Sequence, residues 1–245
     1  MRAFSKIISA ALIASMTLSV AGCSGSKGIT PEAIRSVAAD ADAIEYDNVD
    51  DFTELMHDMN DKKSSAIEEL ENGVVVTATG KDIKKLINDS SSLSGTDSMI
   101  YKRSMEEMSY YFVGNVSKGS QASLFCIISY SFDDEDDAED YYDTQVSSLE
   151  QHSDRSGSDA NYFDIAGEDG TEDGIDYYVT EYKIKDEYRD LLGENSVSMY
   201  AGSYLDGKCV MYYVAIDMGT SSDCADMLDD TCKKLGIISP VEVFD

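Results

Sequence analysis

Apolar positions along the chain recur at two spacings, one helical and one extended. Residues 7–20 are a largely apolar run behind Arg2 and Lys6, too short to span a bilayer as a stable helix. Thr30-Pro31 predicts a helix start: threonine accepts a backbone N–H at the cap, and proline lacks the donor that the first turn would leave orphaned. Ile34, Val37, Ala38 and Ala41 then share one face to about residue 43. A short extended piece at 44–46 is followed by a longer predicted helix capped by Asp50. Its apolar face runs through Phe52, Leu55, Met56, Met59, Ala66, Ile67 and Leu70, with Lys63 the one polar member and Asn72-Gly73 the stop signal. Residues 74–79, VVVTAT, predict a β-branched strand. Ile83, Leu86 and Ile87 predict a short helix, residues 89–98 a polar loop and 99–108 a further helix.

From residue 109 onward the pattern reads as duplicated. Residues 109–150 give strand, turn, strand, acidic helix start and helix, and 197–236 give the same series. Aligning Gly114 with Gly202 leaves Ala138 and Ala225 one residue out of step. Period-2 alternation sends Leu124, Cys126, Ile128, Tyr130 and Phe132 to one face in the first unit, and Val210, Tyr212, Val214, Ile216 and Met218 in the second. Each helix is expected to cover such a face, through Ala138, Tyr142, Val146 and Leu149, or through Ala225, Leu228, Cys232 and Leu235. A polar link at 151–160 and strands at 162–165 and 175–183 lie between. The expected fold class is α+β: an antiparallel sheet with helices packed on one face, built from two pseudo-repeated hairpin–helix units. Residues 30–245 form a single domain, with 49–108 a helical insertion.

A formal net charge of −29 changes the picture of partners. Nucleic acid is excluded, because its phosphates must be met by Lys and Arg. So is lying flat on an anionic lipid surface, which usually takes a polybasic segment. Acidity of this degree can mark disorder, but the β-rich apolar runs and sixteen tyrosines argue for a folded body.

The apolar run at 7–20 closes on Val20-Ala21-Gly22-Cys23. This resembles the lipobox of bacterial lipoproteins: a branched aliphatic three residues before the cysteine, two small residues, then cysteine. The resemblance implies that residues 1–22 are a lipoprotein signal peptide, cleaved after Gly22. It also implies a diacylglyceryl group on the Cys23 thiol, an N-acyl chain on the new amino terminus, and a lipidated tether at 23–29. The acylated chains in the bilayer are then the first partner, since two or more chains give stable anchoring. Losing Arg2 and Lys6 makes the mature chain two units more acidic still. The body is similar, loosely, to small uncharacterised lipoproteins of Gram-positive bacteria. FDDEDDAEDYY at 132–142 matches their hairpin-to-helix junction, and the chain departs from them most at 49–108. No activity comes with that likeness.

Candidate chemistry is sparse. Cys126, Cys209, Cys224 and Cys232 remain once Cys23 is acylated; an exported protein permits disulfides, and buried free thiols fit equally. Cys224 and Cys232 do not pair with each other, being about 12 Å apart along one predicted helix. Gly202 to Cys209, GSYLDGKC, approaches a phosphate loop but has Cys209 in place of the Mg²⁺-binding hydroxyl and runs from strand to strand, so a hairpin turn is expected. In GEDGTEDGID at 167–176, Asp169, Asp173 and Gly174 match a calcium loop, but Thr171 and Thr180 do not. With the run at 133–137, these acids fit a solvated face or a weak cation site. His57 and His152 have no triad or metal-ligand spacing, and Trp is absent. Tyr110-Tyr111, Tyr177-Tyr178 and Tyr212-Tyr213 put one ring on each side of a strand, for packing or for an aromatic binding surface. The expectation is a membrane-anchored, extracytoplasmic, non-catalytic binding module for an unknown protein or small molecule, with no cofactor and no metal. A cation- or small-ligand-binding lipoprotein is the alternative, and a carboxylate-based hydrolase a more distant one.

Overall fold

Eight strands pair into one sheet in the computed structural model of the protein, which describes residues 28–60, 69–94, 104–116, 122–153, 162–188, 196–219 and 223–244. The strands are β1 (Ile44–Tyr46), β2 (Val74–Thr79), β3 (Met105–Val116), β4 (Ala122–Phe132), β5 (Phe163–Glu172), β6 (Ile175–Ile184), β7 (Ser196–Asp206) and β8 (Cys209–Gly219). Their order is β1-β2-β3-β4-β8-β7-β6-β5. The helices are α1 (Pro31–Asp40), α2 (Val49–Asn60), α3 (Lys81–Ser94), α4 (Glu135–Ser153), α5 (Asp223–Leu235) and α6 (Pro240–Phe244). The α+β class is thus observed. The sheet is mixed rather than wholly antiparallel, because β1 pairs with β2 in parallel. Parallel neighbours need a crossover, and the chain carrying α2 supplies it.

Helices pack on both faces of the sheet, not on one. Phe52 and Leu55 of α2, Ile83 and Leu86 of α3, and Ala138 and Tyr141 of α4 lie in one buried cluster with Val74, Val76, Tyr110, Cys126, Ile128 and Tyr130. Ile34 and Val37 of α1, with Leu228 and Cys232 of α5, lie in another with Val75, Tyr111, Phe125, Ile127, Met211 and Tyr213. The physical reason is in the strands. Stretches such as VVV, YYFV and LFCII are apolar at successive positions, the mark of a sheet buried on both sides rather than of one half-exposed. Accordingly α5 covers Met211, Tyr213 and Ala215, the face of β8 opposite to the expected one. The two hairpin–helix units therefore place their helices on opposite sides of the sheet.

Several boundaries also move. Asn48, not Asp50, caps α2, its Oδ1 accepting from the Asp51 N–H at 2.9 Å. The expected continuation of that helix falls partly at 61–68, outside the described residues. α3 runs on to Ser94, so the expected polar loop at 89–98 is helical in its first part, and 95–98 lie outside the described residues. Residues 105–108, expected in a helix, begin β3. The register shifts between Met105 and Glu107, and that bulge brings Met105 and Met108 to the same cluster at a spacing of three, which imitates a helical face. The stretch 49–108, expected as a helical insertion, supplies β2, the second strand in the sheet order.

Candidate functional site

Cys23, the one residue expected to carry chemistry, lies outside the described residues. Its first described neighbours are held tightly. The Thr30 Oγ1 accepts from the Ala33 N–H at 3.1 Å and caps α1 as expected. Ile29, placed in the tether by sequence, is 0% exposed and shares a core cluster with Ile34. These two flank the cap at the positions of a hydrophobic staple, a signal that the sequence did contain. The Ile29 carbonyl also accepts from the Ser129 hydroxyl, toward the end of β4. Gly28 sits at φ +150, and a Cβ there would collide with the Leu235 carbonyl oxygen at the end of α5. Gly28 and Ile29, expected in the tether, are therefore part of the folded body.

The acids at 133–137 build a strand-to-helix junction. Phe132 is fully buried at the end of β4, the Asp133 N–H donates to the Ser104 carbonyl at 2.9 Å, and Asp134 caps α4 by accepting from the Asp137 N–H at 2.8 Å. Glu135, Asp136 and Asp137 fill the first turn of α4, where the helix dipole favours negative charge. The stretch at 167–176 is the β5–β6 hairpin. Asp173 (φ 52) and Gly174 (φ 86) are both in the left-handed region, as a two-residue turn matching the strand twist requires. Glu168, Asp169 and Glu172 are exposed on β5, the edge strand, where charge discourages pairing with another chain. Among the described residues no group of His, Cys, Asp or Glu has the geometry to hold a metal ion.

Residues 202–209 run from β7 into β8 through a turn at Gly207-Lys208, with Asp206 paired to Cys209. No helix N-terminus follows them, so the phosphate-loop geometry is missing. Gly202 has a packing reason instead: a Cβ there would lie 2.6 Å from the Tyr213 Oη and 2.7 Å from the Tyr178 carbonyl oxygen. His57 is exposed on α2, and His152 lies in α4.

The tyrosine pairs follow from the two-sided burial. Tyr110 and Tyr111 enter opposite clusters and are both buried; Tyr178 is buried with Ala201 and Leu149 on one face while Tyr177 packs on the other; Tyr212 and Tyr213 divide in the same way. Both rings of each pair are packing residues. Cys126, Cys209, Cys224 and Cys232 are all free and buried. Burial pushes the Cys126 and Cys232 thiols up to about 12, against a hydrogen bond from a tyrosine at each that pulls the other way. Burial, then the neighbouring Asp217, does the same for Cys224. Burial thus holds Cys126, Cys224 and Cys232 as thiols at neutral pH.

Two buried acids escaped the sequence reading. Asp217 on β8 is 3% exposed and accepts from the N–H groups of Cys224 and Ala225, both at 2.9 Å, so a strand carboxylate caps α5. Glu181 on β6 is 6% exposed, accepting from the Tyr200 hydroxyl at 2.8 Å and pairing with Lys183 at 2.9 Å. An acid at an inward position of an apolar strand was the available signal for both. Among the described residues no helix is long and apolar enough to cross a membrane. Compared with known proteins, the chain matches no family model, no curated sequence and no solved structure.

Proposed function

We propose that the chain is a lipoprotein held at the extracytoplasmic face of the cell membrane by acylated Cys23, and that its α+β body is a non-catalytic binding module for a protein or small-molecule partner. The observation that supports this reading most is the V-A-G-C stretch after a short apolar run, joined within a few residues to a folded body. Anchoring is part of the role, since a freely released domain needs only a signal peptide. In this reading 109–150 and 197–236 are related hairpin–helix units, and their hairpins meet through the β4–β8 pair in the middle of the sheet.

Crosslinking and recovery of the lipidated protein from its own membranes tests the binding role. A stoichiometric protein partner supports an adaptor or complex subunit. Recovery of the chain alone, with no thermal stabilisation by small ligands or by Ca²⁺ in the millimolar range, contradicts it.

A further inference from the structure

The place where the tether joins the body fixes which end meets the membrane. The β7–β8 turn at 207–208 and the β4–α4 junction at 133–134 lie at one end of the sheet, tied by the Phe132 N–H to the Lys208 carbonyl at 2.9 Å. The β5–β6 turn at 173–174 lies there too, because Asp176 at the start of β6 pairs with Leu205, beside the β7–β8 turn. α5 starts beside its cap Asp217, near the far end of β8, and finishes at Leu235, against which Gly28 rests. Ser129, which holds Ile29, is three residues from the end of β4, or about 10 Å. β8 has 11 residues, about 36 Å of strand, so the far end of the sheet is about 26 Å from the junction.

Five peptide links separate Cys23 from Gly28, at most about 18 Å of chain. That is shorter than the distance to the far end, so the body cannot stand inverted on the bilayer. Lying flat would bring a strongly acidic surface against anionic headgroups. We infer, on the basis of the lipid-anchor reading, that the turn end faces the lipid surface and the far end projects outward. The turn end carries Glu106, Asp133, Asp134, Glu172, Asp173 and Asp206. Its lysines are fewer: Lys208 donates to the Asp133 carbonyl and Lys233 pairs with Asp229, while Lys81, just after β2, and Lys234 add two more positive charges. The acidic rim repels an anionic leaflet over a screening length of about 8 Å at physiological salt. With the junction about 10 Å inside the turn end, a tether of at most about 18 Å lets the rim draw back by no more than about 8 Å, so repulsion holds the body off the surface by up to one screening length.

Asp164 and Glu172 are exposed, on the same face of β5, and about 26 Å apart along it. Each is replaced in turn, Asp164→Cys and Glu172→Cys, and labelled with a donor dye; the other four described cysteines are buried, and Cys23 is acylated in this reading. The lipidated protein is reconstituted in phosphatidylglycerol–phosphatidylcholine vesicles carrying an acceptor lipid. Transfer should be clearly stronger from position 172 than from 164. It should rise at 172 when NaCl is raised from about 20 to about 500 mM, and should not do so in vesicles of phosphatidylcholine alone. Equal transfer from the two positions, or stronger transfer from 164, overturns the orientation; no salt response in the anionic vesicles overturns the stand-off. Flotation with the vesicles separates the two levels: protein that does not float removes the lipid anchor itself, whereas floating protein with the wrong transfer pattern removes only the orientation.

Discussion

Replacing Asp217 by alanine is expected to be among the most damaging single changes to the body. Its two carboxylate oxygens take the N–H groups of Cys224 and Ala225, each at 2.9 Å, at the first turn of α5. Cys224 is buried and Ala225 half-buried, so water can replace the carboxylate at one donor better than at the other. A hydrogen bond to a charged group contributes about 1.5–3 kcal/mol, and loss of a helix cap costs about 0.5–2 kcal/mol. The two descriptions overlap, which sets the expected loss for Asp217→Ala at about 3 kcal/mol. Asp217→Asn keeps one accepting oxygen but turns an NH₂ group toward the second donor, so a loss of about 1–2 kcal/mol is expected. Urea unfolding of residues 24–245, followed by far-UV circular dichroism, measures both. The midpoint should fall with little change in slope, because the surface exposed on unfolding is nearly the same. A loss below about 0.5 kcal/mol for the alanine variant would refute the claim that a strand carboxylate holds α5 in place.

Three further outcomes follow from the packing. Gly202→Ala drives a methyl against the Tyr178 backbone and the Tyr213 hydroxyl and should destabilise the body by about 1–3 kcal/mol in the same urea assay; a neutral effect would mean that the β6–β7–β8 packing is looser than described. In the native body at pH 8, Cys126, Cys209, Cys224 and Cys232 should not react with a thiol reagent, and all four should react once unfolded in urea without reductant. Fewer than four would reveal a disulfide. Burial raises the Glu107 carboxyl above its ordinary range, with Arg35 opposing and Glu32 and Glu106 adding to it. The native state therefore holds that proton more tightly than the unfolded chain, and the site's contribution to stability falls as pH rises from the ordinary carboxylate range through the raised folded value. Glu107→Gln should raise the melting temperature at pH 7 and change it little at pH 4; an equal shift at both would show that charge is not the cause.

Local chemistry was legible where it is local. Thr30-Pro31 marks α1, the run at 74–79 is β2, and the hairpin turn expected within 202–209 joins β7 to β8, whereas 167–176, weighed as a calcium loop or a solvated face, holds the β5–β6 hairpin. Long-range pairing was not: nothing in the sequence near β4 says that its neighbour is β8, some eighty residues away, or that β1 will lie parallel to β2. The one-face expectation came from reading alternation in strands whose residues are apolar at successive positions, where both sides are buried. The bulge at Glu106 hid the start of β3 behind a helical spacing. Asp217 escaped the sequence reading because a cap that comes from a different element leaves no mark beside the helix it serves. The tether expected at 23–29 overlaps the body by two residues, Gly28 and Ile29, although Ile29 and Ile34 around Thr30 have the spacing of a staple.

Intact-mass and N-terminal peptide analysis of the protein extracted from its own membranes with detergent tests the central claim most directly. The account predicts that the first residue is Cys23 and that its thiol carries a diacylglyceryl group, with the chain lost from the membrane fraction or left as an uncleaved precursor in Cys23→Ala. A mature terminus elsewhere, an unmodified Cys23, or a Cys23→Ala variant still processed and membrane-bound would contradict it.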